Sequence, residues 1–101
     1  MKLYKNSMTL RMLKVAASCA NEDAIFNFKA FYNKFNKMYP TYNSLFKVPL
    51  ILRLVQFCYP SVSKGYPYLT RLGRTTFKIK DHVIDYMIEN DLLIYNIHHI
   101  I

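Results

Sequence analysis

The feature that most limits how this chain can fold is an apolar stripe in its N-terminal half. Five residues recur at alternating steps of four and three: Ala24, Phe28, Phe31, Phe35 and Met38. This spacing places them along one side of a helix, and Lys29, Lys34 and Lys37 fall off that side. A stripe with three phenylalanines is usually intramolecular core, and in so small a protein it is also a candidate dimer face.

Helix caps divide the N-terminal half into segments. Ser7 can cap a first helix that runs to Ala20. Asn21 can cap the helix with the stripe, because Glu22 and Asp23 would then lie in its first turn, where the helix dipole favours negative charge. Tyr39-Pro40 ends that helix. A third, largely apolar helix is expected to run to Tyr59, with Pro49 in its first turn or at a kink.

The length and composition predict one folded domain over residues 1–101. The chain has 101 residues, of which 52% are hydrophobic, enough for one core and too few for two. Cys19 and Cys58 each lie in an apolar run, which predicts buried free thiols and a reducing, cytoplasmic setting. Arg11 and Lys14 interrupt an N-terminus that otherwise resembles a signal peptide, so we expect an ordinary helix there.

The chain is strongly basic. Lysine and arginine outnumber aspartate and glutamate by 14 to 6, a formal charge of +8. A domain with this charge has the electrostatic footprint of a nucleic-acid binder, although solvated helix faces would give the same total.

The C-terminal half can be divided into a short segment near Leu69, a stop at Leu72-Gly73 and a long helix from Thr75 or Thr76 to Asn90. A strand is expected over Leu92 to Ile101. This order resembles the winged-helix branch of the helix-turn-helix superfamily. The matching residues are Leu72-Gly73, Thr75-Thr76 and Glu89-Asn90-Asp91-Leu92-Leu93.

The resemblance implies a mainly α fold: a winged-helix-like helix-turn-helix over 41–101 with a truncated wing and a short C-terminal strand, preceded by a helical pair over 1–40. It places the recognition helix near 75–90. The implied DNA contacts are Arg71, Arg74, Thr75, Thr76, Lys78, Lys80 and His82. Asp91 stands where the family favours glycine, and Asp81 and Asp85 put negative charge on the face meant for phosphates.

A second interpretation makes 68–79 a β-hairpin that turns at Leu72-Gly73, supported by the alternation of Leu69 and Arg71 with Phe77 and Ile79. The recognition helix would then have to be 50–58. That segment is too apolar to face DNA, so a hairpin would weaken the DNA-binding hypothesis.

No catalytic residues, cofactor or enzyme activity are predicted, because the chain has no phosphate loop, nucleophile elbow or convincing acid–base pair. His98-His99 has no third ligand at suitable spacing, so no metal site is expected. The leading hypothesis is a transcriptional regulator that binds double-stranded DNA as a homodimer, with Phe28, Phe31, Phe35 and Met38 at the dimer interface.

The alternative is an interaction protein that uses the phenylalanine stripe, or Ile84 and Ile88, without a nucleic-acid role. The abundance of Ile, Lys, Asn and Tyr, with no Trp, is typical of a viral or plasmid gene from an AT-rich genome. In the viral case the protein would act inside the host cell.

Overall fold

The computed structural model describes residues 7–40, 47–59 and 67–92. These ranges contain four helices and three strands, in the order α1 Met8–Cys19, β1 Ile25–Asn27, α2 Phe28–Met38, α3 Lys47–Gln56, β2 Leu69–Arg71, β3 Thr76–Ile79 and α4 Asp81–Glu89. Helix predominates over strand, as the sequence predicted.

Helix α1 is the most deeply buried helix. The Ser7 hydroxyl accepts a hydrogen bond from the Leu10 N–H at 3.1 Å, which confirms the predicted cap. Met12, Leu13 and Val15 have no exposed surface, and Ala16 and Ala17 are equally buried. The apolar residues around most of its circumference require covering on several sides, and α1 packs against both α2 and β1.

The predicted helix start at Asn21 is wrong, because this residue closes a turn. Its side-chain oxygen accepts from the N–H groups of Asp23 at 2.9 Å and Ile25 at 3.0 Å. Strand β1 follows this turn. Helix α2 begins at Phe28, where the Asn27 side chain accepts from the Ala30 N–H at 2.8 Å.

The three strands form an antiparallel sheet in the order β1-β3-β2. In the central strand, Phe77 lies opposite Phe26 on one side and Arg71 on the other, and Lys78 lies between Ile25 and Thr70. Because β1 belongs to residues 1–40 and β3 to residues 41–101, the two predicted segments share one sheet.

The predicted long helix over 75–90 is wrong at its N-terminal end. Residues 76–79 form β3 and pair with β2, as the hairpin interpretation predicted. The alternation explains this: Phe77 and Ile79 are completely buried, whereas Thr76 and Lys78 are half-buried. Only 81–89 is helical. Helix α4 ends where Asp91 adopts a φ of 53° and the Leu92 N–H bonds to the Met87 carbonyl at 2.8 Å.

The phenylalanine stripe lies inside this chain. Phe31 and Phe35 have no exposed surface and Phe28 has 7%. The Phe31 ring lies 5.7 Å from Phe35 and 5.9 Å from Phe26 of the sheet, measured between centroids. Met38 is half-buried and packs against the same cluster. The monomer's own sheet and helices therefore cover the three phenylalanines, as the intramolecular-core interpretation predicts, whereas Met38 keeps part of its surface exposed.

Both cysteines are free and partly buried, in agreement with the sequence. Burial raises the pKa of the Cys19 thiol to about 11, and the thiol bonds to the Ala16 carbonyl at 3.5 Å. None of the helices in the described ranges has the length and apolar character needed to cross a membrane. The strand predicted over 92–101, with His98-His99, lies outside the described residues beyond Leu92.

Candidate nucleic-acid interface

The last residue of β2 and the connection to β3 form an exposed, positively charged hairpin tip, defined as residues 71–75. Its backbone is held by the N–H groups of Leu72 and Gly73, which both donate to the Thr76 carbonyl, at 2.9 and 3.2 Å. The Arg71 guanidinium donates to the carbonyl oxygens of Gly73 at 3.0 Å and Arg74 at 3.1 Å. These bonds hold the tip in one shape and leave Arg74 and Thr75 exposed.

The other predicted contact residues lie behind the tip. Lys78 is on the outer side of the central strand, Lys80 immediately precedes α4, and His82 is in the first turn of α4. All three side chains are half-buried. Together with Thr70 and Asp81 they line an open depression of about 450 Å³. Of the seven predicted residues, three therefore lie in the tip, three line this depression, and Thr76, half-buried at the start of β3, belongs to neither.

Helix α3 presents a mixed face that the sequence analysis missed. Leu50 and Leu54 are buried, and so is Phe57 just after the helix. Arg53 and Gln56 are exposed, and so are the larger apolar side chains Leu52 and Tyr59. The high apolar content of 50–58 therefore reflects its buried side, and the exposed face carries a guanidinium and an amide.

Helix α3 and the hairpin are joined at one point. The Phe57 carbonyl accepts from the N–H groups of Tyr68 at 2.8 Å and Leu69 at 3.1 Å, and the Phe57 and Tyr68 rings meet edge to face at 5.4 Å. Burial raises the pKa of the neighbouring Cys58 thiol, and the charges of Arg71 and Lys80 oppose that rise. Cations of the hairpin region therefore lie within electrostatic range of the end of α3.

The exposed face of α4 has the opposite charge. Asp81, Asp85 and Glu89 are all exposed and follow one another at steps of four, so they share one side of the helix. Three carboxylates in a row would repel a phosphate backbone. Helix α4 is therefore a poor recognition helix, and the assignment of that role to 75–90 does not fit the charges on the molecule.

The charges are also segregated along the chain. No aspartate or glutamate lies between Ala24 and Lys80, and none lies in residues 1–21. The stretch over 24–80 contains ten cationic residues: Lys29, Lys34, Lys37, Lys47, Arg53, Lys64, Arg71, Arg74, Lys78 and Lys80. It includes α2, α3 and the whole hairpin, whereas the acidic residues lie in the turn before β1 and from Asp81 onward. This pattern was available in the sequence.

Comparisons of the chain with protein-family models, curated proteins and solved structures find no match. In the described ranges, no three histidine, cysteine, aspartate or glutamate side chains are grouped so that they could hold a metal ion.

Proposed function

We propose that this chain is a winged-helix DNA-binding protein that acts as a transcriptional regulator, with α3 as its recognition helix and the β2–β3 hairpin as its wing. In winged-helix proteins a short strand follows the first helix, and the two helices of the helix-turn-helix come next. A two-stranded wing then follows, and its last strand pairs with the first strand. The element order and the β1-β3-β2 strand order support this assignment.

The single observation that carries the proposal is the position of the acid-free stretch, defined as residues 24–80. It coincides with the two helices and the hairpin that would meet DNA in this arrangement. Every cation on a surface that approaches phosphates strengthens binding and every carboxylate weakens it, because duplex DNA carries a negative charge about every 1.7 Å along its axis. In this chain the carboxylates are confined to the turn at 22–23 and to 81–91.

Each exposed group has a chemical role in this proposal. Arg53 and Gln56 reach base edges in the major groove, where guanidinium prefers guanine and a side-chain amide prefers adenine. Arg74 and Thr75 at the hairpin tip contact phosphate or sugar. Lys78 and Lys80 strengthen the positive field from behind the tip.

The structure leaves less support for the interaction-protein alternative. The phenylalanine stripe is inside the monomer, and Ile84 is half-buried against the core. Ile88 is 59% exposed, but it lies among the acidic side chains of α4.

The proposal is tested by fluorescence anisotropy of labelled duplex DNA between about 50 and 200 mM salt. We expect the logarithm of the affinity to fall linearly with the logarithm of the salt concentration. Arg74→Gln and Arg53→Gln should each lower the steepness of that line by about 1, because each removes one cation from the interface.

The matched control is Lys14→Gln, which removes the same charge from α1, outside the two helices and the hairpin assigned to the DNA surface. If Lys14→Gln lowered affinity as much as Arg74→Gln, only total charge would matter and the assigned surface would be wrong. Absence of salt-dependent binding by the unchanged protein would refute DNA binding itself.

A further inference from the structure

We propose that Leu72 acts as an apolar wedge, which the hairpin tip inserts between two base pairs from the minor groove, so that binding bends the duplex. This inference rests on the proposed DNA-binding function and adds to it a groove, a contact residue and a mechanical effect on the DNA.

The position of Leu72 supports this role more than its exposure does. Its side chain is 51% exposed, but Leu52 and Ile88 are similarly exposed at 56% and 59%. Leu52 also lies next to an arginine, Arg53, but on a helix; Leu72 differs because it lies at the tip of a two-stranded ribbon, between Arg71 and Arg74. An apolar side chain in such a cationic setting is matched to a ligand that has both negative charge and stackable apolar surface, and nucleic acid has both.

The tip is also ordered before any ligand arrives. Four hydrogen bonds close it: two from backbone N–H groups to the Thr76 carbonyl and two from Arg71 to the carbonyls of Gly73 and Arg74. A preformed tip loses little conformational entropy on binding. Arg71 is thus a positioning residue that fixes the loop, while Leu72 and Arg74 remain available for contact.

The minor groove fits the dimensions and chemistry of this tip. The groove is about 6 Å wide, which admits a loop tip and excludes the complete ribbon. Its negative potential, strongest where A·T pairs narrow it, attracts arginine. Leucine is among the side chains that proteins insert between base steps, and such insertion kinks the duplex by about 20–90°.

The experiment measures bending and binding on the same DNA. A duplex of about 30 base pairs with a central flexible TA step carries a fluorescent donor and acceptor at its two ends. We expect the unchanged protein to raise energy transfer as it saturates the duplex. Leu72→Ser should still bind with an unchanged salt dependence, because no cation is removed, but it should lose most of the bend. Leu72→Met should keep the bend, since it keeps an apolar wedge.

The matched control is Ile88→Ser, which removes an equally exposed apolar side chain from α4 and should bend the duplex as the unchanged protein does. Circular dichroism checks that each variant is folded. If the unchanged protein binds without bending, or if Leu72→Ser bends the duplex fully, the wedge is refuted while DNA binding stands. If the unchanged protein shows no salt-dependent binding, the proposed function and the wedge are both refuted.

Discussion

At the scale of single residues, the turn before β1 places an alanine in a conformation that suits glycine. Ala24 has a φ of 64°, in the left-handed region. Its N–H donates to the Asn21 carbonyl and its carbonyl accepts from the Ile79 N–H, both at 2.9 Å. The second bond extends the pairing of β1 with β3, so the sheet holds Ala24 in a backbone conformation that is unfavourable for L-residues.

We therefore expect Ala24→Gly to stabilise the protein by about 1 kcal/mol, because glycine adopts positive φ without the steric penalty. Urea unfolding followed by circular dichroism measures the change. Ala30→Gly is the control: it lies within α2, where glycine should instead destabilise by about 0.5–1 kcal/mol. Equal losses in the two variants would show that the turn does not strain Ala24.

Residue patterns predicted the cap at Ser7 but not the choice between Asn21 and Asn27. Both asparagines precede residues of the phenylalanine stripe, and the step from Ala24 to Phe28 also fits a helix. The contact that decides between them is the pairing of Phe26 with Phe77, which are far apart in the sequence. No local pattern contains that information, so the start of α2 was placed six residues too early and β1 was missed.

At the scale of elements, residues 76–80 satisfy two periodicities. Phe77 and Ile79 alternate as in a strand, while Ile79 and Val83 are four residues apart as in a helix. Residues 76–79 form a strand because they pair with β1 on one side and β2 on the other.

The exposed cations Arg71 and Arg74 were predicted as site residues because charge is visible in sequence. Arg53 and Gln56 were not predicted as site residues, because the apolar residues on the buried side of α3 dominate its composition.

The assignment of the recognition helix gives a prediction at this scale. Gln56→Ala on α3 should relax base preference, with a loss of about 1–3 kcal/mol against the preferred site and little change against random duplex. Asp85→Asn on α4 should leave base preference unchanged and strengthen binding to every duplex slightly, since it removes a repulsive charge. Selection from a random duplex library, followed by affinity measurements on the selected and scrambled sites, checks both.

Comparing the sites selected by Gln56→Ala and Asp85→Asn shows which of α3 and α4 reads the bases. Should Asp85→Asn change the selected sequence while Gln56→Ala leaves it intact, α4 would be the reading helix and the arrangement proposed here would be wrong. Each substitution replaces an exposed side chain, so neither is expected to disturb the fold.

At the scale of the whole molecule, folding joins parts of the chain that are distant in sequence. The sheet takes β1 from the N-terminal half, and the end of α3 is bonded to the start of the hairpin. Helix α4 follows with its carboxylates exposed. The charge is therefore polarised between the central part of the chain and its C-terminal helix, which favours one orientation of the molecule on a polyanion.

This arrangement also predicts how many copies bind. Among the side chains that the structure describes, the exposed face of α3 offers Arg53 and Gln56 as polar base readers. Each such contact discriminates by about 1–3 kcal/mol, whereas a specific site is typically about 4–10 kcal/mol tighter than random DNA. One copy thus reaches at most the lower part of that range. We therefore expect two copies on a palindromic site, with half-sites about one DNA turn apart.

Sedimentation velocity of the complex gives the number of copies, and salt titration gives an independent measure. A palindromic duplex should bind two copies, with a salt dependence about twice as steep as that of a duplex carrying one half-site, because twice as many phosphates are neutralised. The dimer contact must lie outside the phenylalanine stripe, so Phe35→Leu should alter stability and not the number of copies bound. One copy binding a half-site with the full affinity would exclude the dimer and would require base contacts beyond Arg53 and Gln56.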